Sequence, residues 1–241
     1  MIEAQLVPTK PVKHLEKFAA LAWRDRRIAV FLGREGIGKS EGFRRVAASN
    51  GFPKIAFRSR PTMSNSGLLE ELRRWCGIER SSGSKYLSND RIYGEVGRYL
   101  ADHPALIVID EADNLPQSCF ELIRALHDEY GAIFLLIGNE QLEVKIDREH
   151  PRLARRIYRY KERDLSREQT RQVAEAMGLQ LSDEEFDLVW KYCGGSPGWV
   201  EIVIRQAEFI ASENGCKRGP KAILGAFAEI PRPRTRGLRG Q

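Results

Sequence analysis

The apolar positions of this chain change their period several times, and each change marks a new element. Between residues 12 and 23 they recur at Val12, Leu15, Phe18, Ala19, Leu21 and Ala22, a helical spacing, so a helix is expected ahead of the first strand. The unbroken run Ile28-Ala29-Val30-Phe31-Leu32 follows and reads as a strand buried on both faces. A helix over 39–49 comes next, with Asn50-Gly51 expected to supply a left-handed stop before a second strand at 54–57. Helices are expected over 66–76 and 93–100, with the polar stretch Ser81-Ser82-Gly83-Ser84 between them as a surface turn. A third strand at 105–109, a helix at 117–130, a fourth strand at 132–137 and a weaker fifth at 157–160 continue the alternation.

After Tyr160 the pattern turns wholly helical. Ser166-x-x-Gln169 and Ser182-x-x-Glu185 read as capping boxes that open two helices, and two more are expected over 198–213 and 219–228. Strands alternating with helices, then a helical block, predict an α/β fold: a doubly wound, parallel, five-stranded sheet carrying a small C-terminal α-helical lid. The expected divisions are an α/β core at 1–160, the lid at 161–230 and a basic, disordered tail at 231–241.

Composition adds limits. A chain of 241 residues that is 42% hydrophobic can furnish such a core. No apolar run approaches the roughly 20 residues that cross a bilayer, and the first residues lack the character of a secretory signal. No membrane partner and a cytoplasmic location are the expectation. Cys76, Cys119, Cys193 and Cys216 lie far apart, which argues against zinc and against a disulfide framework. The net charge is +6, but Arg232, Arg234, Arg236 and Arg239 in the tail supply four of those charges. Charge alone therefore does not establish a nucleic-acid partner.

The candidate chemistry begins with Gly33-Arg34-Glu35-Gly36-Ile37-Gly38-Lys39-Ser40, set directly after the first strand. It fits a phosphate-binding loop. The glycines let backbone N–H groups turn toward the phosphates, Lys39 can reach the β and γ oxygens of ATP, and the Ser40 hydroxyl can ligate Mg²⁺. At the end of the third strand stand Asp110 and Glu111, about 70 residues after Lys39. Asp110 is suited to hold Mg²⁺ through water with Ser40, and Glu111 to orient and deprotonate an attacking water. Asn139 ends the fourth strand, placed to hydrogen-bond the γ-phosphate or that water. The run His150-Pro151-Arg152-Leu153-Ala154-Arg155-Arg156 sets three arginines before the fifth strand, where one could neutralise charge on a neighbouring subunit's nucleotide. Arg156 is favoured, with Arg152 second. The four histidines show no ligand spacing, and Asp113, inside Asp-Glu-Ala-Asp, matches a helicase box only superficially.

Gly-x4-Gly-Lys-Ser, Ile-Val-Ile-Asp-Glu-Ala-Asp-Asn-Leu, Leu-Ile-Gly-Asn and Leu-Ala-Arg-Arg-Ile, followed by a helical lid, together resemble the AAA+ ATPases over residues 8–229. Thr9-x-Pro11-Val12 and the arginine cluster make the chain look most like the small transposition ATPases. That group includes phage Mu transposition protein B and the TniB and TnsC proteins, with ExeA-like ATPases as cousins. The resemblance implies an ATP hydrolase that forms rings or helical filaments on duplex DNA, captures target DNA and activates a transposase. It implies phosphate and Mg²⁺ binding by Gly36, Gly38, Lys39 and Ser40, a Walker B pair at Asp110 and Glu111, sensor 1 at Asn139 and an arginine finger at Arg156. An ATP-gated assembly module with a protein partner and a replicative helicase loader share the same core and stay open as alternatives. Gly198 and Trp199 occupy the place where many relatives carry a sensor 2 arginine, and the turn 194–199 is positioned to close onto adenine instead.

Only 27 residues precede the first strand, so any DNA contact is expected from the core or the tail. Non-specific duplex binding needs several cations along the phosphates. Lys54, Arg58 and Arg60, with Thr62 and Ser64 after them, form the first candidate set, and Arg73-Arg74 the second.

Overall fold

The computed structural model describes residues 9–79 and 88–230. The turn expected at 81–84 and the basic tail lie outside those residues. Five strands, β1 (Ile28–Leu32), β2 (Lys54–Arg58), β3 (Leu106–Asp110), β4 (Ile133–Gly138) and β5 (Ile157–Lys161), form one parallel sheet in the order β2-β3-β4-β1-β5. Helices α1 (Lys10–Asp25), α2 (Lys39–Ala48), α3 (Asn65–Trp75), α4 (Asn89–Asp102), α5 (Gln117–Tyr130), α6 (Glu140–Glu149) and α7 (Pro151–Ala154) alternate with the strands. After β5 come α8 (Arg167–Ala176), α9 (Asp183–Cys193), α10 (Pro197–Glu213) and α11 (Pro220–Glu229).

The chain divides into two compact units. The larger comprises Pro11–Gly33 and Lys39–Glu162. Its central strands read as unbroken apolar runs because both sheet faces are covered, and the period of two divides their side chains between two cores. Ala29 and Phe31 of β1 meet Leu15 and Phe18 of α1 and Val46 of α2. Ile28, Val30 and Leu32 meet the opposite core, built with Leu68, Val96, Phe120 and Leu142. A one-residue shift in β1 would exchange these sets, so the register is strongly specified.

The other unit gathers Arg34–Gly38 with the helices that follow β5. Both expected capping boxes form. The Ser166 and Ser182 hydroxyls accept from the amides of Gln169 and Glu185, whose side chains accept in return from the serine amides. Val189, Cys193, Val203, Ile204 and Ile223 fill its core, and Tyr192 stacks on Phe227 at 4.1 Å.

Three features depart from the sequence expectation. Neither Asn50 nor Gly51 adopts a left-handed conformation. Instead α2 ends at Ala48, and the amide and hydroxyl of Ser49 both donate to the Val46 carbonyl. Helices α6 and α7 were not expected. Only Leu142 and Ile146 of α6 are buried, too sparse a stripe to announce a helix, and His150-Pro151 breaks the chain between the two.

Burial pushes the Cys76 and Cys119 thiols up to about 11 and Cys193 to about 12, so all three pack as small apolar groups at neutral pH. Among the described residues no helix is long and apolar enough to cross a membrane.

Candidate active site

The phosphate-loop sequence lies between a buried strand and a helix. Gly33 at its start is tied to β4 by its amide, which donates to the Gly138 carbonyl at 3.1 Å. Gly36 and Gly38 have φ of 75° and 103°, a region open to glycine and poorly accessible to other residues. Lys39 and Ser40 open α2, whose free N–H groups and dipole favour an anion at this end. The Lys39 ammonium donates to the Gly33 carbonyl at 2.6 Å. Arg34 pairs with Asp164 at 2.5 Å, Ile37 is buried and Glu35 is exposed.

Within the smaller unit, the turn at the start of α10 lies against the loop's main chain. The Ser196 hydroxyl donates to the Glu35 carbonyl at 3.1 Å, and the Gly198 amide donates to the Gly36 carbonyl at 3.2 Å. The hydrogen bonds of this turn thus go to loop carbonyls. Carbonyls held on this side orient the peptide planes of the loop, whose N–H groups are then directed the opposite way. A Cβ added at Gly198 would sit 3.0 Å from the Gly36 Cα, a backbone atom with little freedom to yield. Gly198→Ala is therefore expected to weaken ATP binding by about tenfold through a displaced loop, as read by titration with a fluorescent ATP analogue. An unchanged affinity would show that the turn does not shape the loop.

At the end of β3, Asp110 is almost completely buried, and Arg58 stands opposite it in the β2–β3 register. The guanidinium donates to Asp110 Oδ2 from Nη2 at 3.1 Å and from Nε at 3.2 Å, and Nε lies 3.5 Å from Glu111 Oε1. A buried carboxylate is costly to hold without a counter-charge, and Arg58 together with the Glu111 amide, at 3.0 Å from Oδ1, supplies that compensation. Glu111 itself is left-handed, φ 54° and ψ 38°. A non-glycine residue there carries strain of about 1–2 kcal/mol. The Ser59 hydroxyl and the Asn114 amide hold it by donating to its carbonyl at 2.5 and 2.9 Å.

Asn139 is the N-cap of α6. Its side-chain oxygen accepts from the Gln141 amide at 2.8 Å, and its Nδ2 donates to Asp113 at 3.4 Å. In the arginine run, Arg156 is engaged within the chain, donating to Asp128 from Nε and to the Arg152 carbonyl from Nη1, both at 2.8 Å. The exposed side chains of Arg152 and Arg155 have no polar partner among the described residues. His150 is buried against Phe120, and its Nδ1 lies 3.2 Å from Glu121. That contact, with Arg124 second, holds the Glu121 carboxyl below its ordinary range.

Two cations of the first DNA set, Lys54 and Arg58, make contacts within the chain. Arg58 donates to Asp110 while about half of its side chain stays exposed, Lys54 donates to the Ser49 carbonyl beneath Phe52, and Arg60 is exposed. Arg73 of the second set pairs with Glu70 at 2.9 Å. The place of Arg58 was legible in one respect, since β2 and β3 are adjacent parallel strands that end together on Arg58 and Asp110. Asp113 had no such signal, because its partners come from another strand.

Ser40 and Asp110 offer hard oxygen donors of the kind Mg²⁺ takes alongside nucleotide phosphates. Among the described residues no group of three or more His, Cys, Asp or Glu could hold a metal ion by itself.

A glycine-rich loop running from a buried strand into a helix, with an acidic pair ending another strand of the same parallel sheet, defines a P-loop ATPase. The AAA domain family matches residues 23–146, and the chain belongs to that family. It is 26% identical over 198 residues to the Mu-like prophage FluMu DNA transposition protein B of Haemophilus influenzae, a match covering 79% of this chain and 66% of that protein. The chain thus spans about two thirds of that relative's length. In fold it is similar to Cdc6p of Pyrobaculum aerophilum, with a TM-score of 0.69 and 16% identity over 91% of this chain and 66% of that one. The Aeropyrum pernix ORC1 protein, solved in complex with DNA, gives 0.64 and 20% identity over 95% of this chain and 67% of that one.

Proposed function

We propose that this ATPase assembles on duplex DNA in its ATP-bound form, selects or delivers target DNA and stimulates a transposase. The likeness to a DNA transposition protein B carries this reading, because it joins the ATPase site to a process that acts on DNA. Residues 1–160 act as the nucleotide-binding core, 161–230 as the lid and 231–241 as a basic tail.

In the proposed cycle Lys39 and the loop amides bind the β and γ phosphates, and Ser40 and Asp110 would hold Mg²⁺ brought in with ATP, which would neutralise phosphate charge. Glu111 takes a proton from the attacking water, and Asn139 orients that water or the γ-phosphate. An arginine from the 152–156 run completes the site of a neighbouring copy. Arg156 would have to leave Asp128 to do so, whereas Arg152 and Arg155 would not. Arg58 and Arg60, at and just after the end of β2, are both exposed for DNA phosphates, Arg58 while paired with Asp110.

The test is negative-stain microscopy of the protein with duplex DNA, comparing ATP plus Mg²⁺, ADP and no nucleotide. Rings or filaments on DNA with ATP alone are the expected result, and their loss with rising salt would follow from phosphate contacts. Bare DNA in every condition at low salt would overturn the DNA reading and turn the search toward a protein partner.

A further inference from the structure

We propose that Asp113 is a positioning residue that couples Asn139 to the turn carrying Glu111. The inference rests on the reading of Glu111 as base and Asn139 as γ-phosphate or water contact.

The 3₁₀ turn Ala112–Asn114 follows Glu111 directly and brings the Asp113 carboxylate to the end of β4. There it receives two hydrogen bonds from one residue, the Asn139 amide donating to Oδ1 at 3.3 Å and Asn139 Nδ2 to Oδ2 at 3.4 Å. With Gln141 donating to the opposite end of the Asn139 side chain, both the position and the sense of that amide are fixed. The approach also requires a glycine. A Cβ at Gly138 would fall 2.8 Å from Asp113 Oδ1 and 2.7 Å from Leu142 Cδ2.

The turn is held from its other side as well. The Lys145 ammonium on α6 donates to the carbonyls of Asp113 at 2.5 Å and Leu115 at 3.1 Å. Asn114 returns to Glu111 through its amide at 2.9 Å and its side chain at 3.4 Å. Glu111, Asn114, Asp113 and Asn139 therefore form a continuous chain of contacts across the ends of β3 and β4. A movement of Asn139 toward a bound γ-phosphate lengthens its bond to Asp113, and through the turn bears on a glutamate already in a left-handed conformation. This gives Asp113 a use that the helicase-like spelling of its motif did not suggest.

The test is a double-mutant cycle on kcat and on ATP affinity, using Asp113→Ala, Asn139→Ala and the pair. Asp113→Ala is expected to lower kcat by roughly tenfold with ATP affinity within about twofold, and the pair to be no slower than Asn139→Ala alone. Asp113→Asn keeps one acceptor for Asn139 but turns an NH₂ toward its second donor, so it should fall between the parent and Asp113→Ala in rate, with circular dichroism confirming that every variant folds. If the two losses multiply, or if Asp113→Ala loses ATP binding together with turnover, the coupling is overturned while the roles of Glu111 and Asn139 stand. If Asn139→Ala turns over at the parent rate, the reading of Asn139 fails, and the coupling fails with it.

Discussion

Lys39→Ala is expected to weaken ATP binding by about 10- to 100-fold, from the loss of a charge-assisted hydrogen bond to phosphate worth about 1.5–3 kcal/mol. The ammonium donates to the Gly33 carbonyl at the start of the loop, which places it among the loop's phosphate-facing groups. Phosphate oxygens carry negative charge and accept from an ammonium about twice as strongly as a neutral acceptor does, which is the interaction the alanine loses. The fold should survive the change. The Gly33 amide keeps its bond to Gly138, and the left-handed conformations of Gly36 and Gly38 do not depend on the lysine. Calorimetric titration with ATP, beside a thermal melt, separates the two effects. Lost affinity with an unchanged melting temperature is the expected pair of results, and the same variant should show no ATP-dependent structures on DNA. Parent affinity would mean that the glycine-rich loop is not where the nucleotide binds.

The parts of the molecule legible in its sequence are those set by local pattern. β1, β3 and β4 were visible because strands covered on both faces must be apolar at every position, and α8 and α9 because serine capping boxes announce them. α6 escaped notice because its buried side amounts to Leu142 and Ile146, and its N-cap, Asn139, was read only as a polar strand end. The site followed the same rule. Lys39, Asp110 and Glu111 sit at motif spacings, whereas Arg58 and Ser59, which hold the acidic pair, come from the end of β2. Arg58 reaches Asp110 by strand adjacency, and Asp113 reaches Asn139 by the fold of a short turn. Such contacts leave no periodicity to read, so a cation expected to face DNA is found against two carboxylates. Arg156 likewise has a partner no local pattern announces, since Asp128 on α5 pairs with it.

Glu111→Gln is expected to slow ATP turnover by about 100-fold or more, the contribution commonly made by a positioned general base. The amide has nearly the same shape as the carboxylate and can still accept from the Asn114 side chain, so the turn should persist. ATP affinity should hold or rise, because a negative charge near the γ-phosphate is removed. The ATP-bound assembly would then accumulate, visible as rings or filaments that outlast those of the parent. A loss of rate alone does not separate a missing base from a disturbed backbone, and the left-handed φ of 54° offers a way to do so. Glu111→Gly and Glu111→Ala both remove the carboxylate, but only glycine occupies this conformation without strain. Glycine should therefore melt higher than alanine, by about 1 kcal/mol of stability, while both lose turnover to the same extent. If turnover instead followed stability, with the glycine variant active and the alanine variant not, the role of Glu111 would lie in holding the turn, and the base would have to be sought in another side chain.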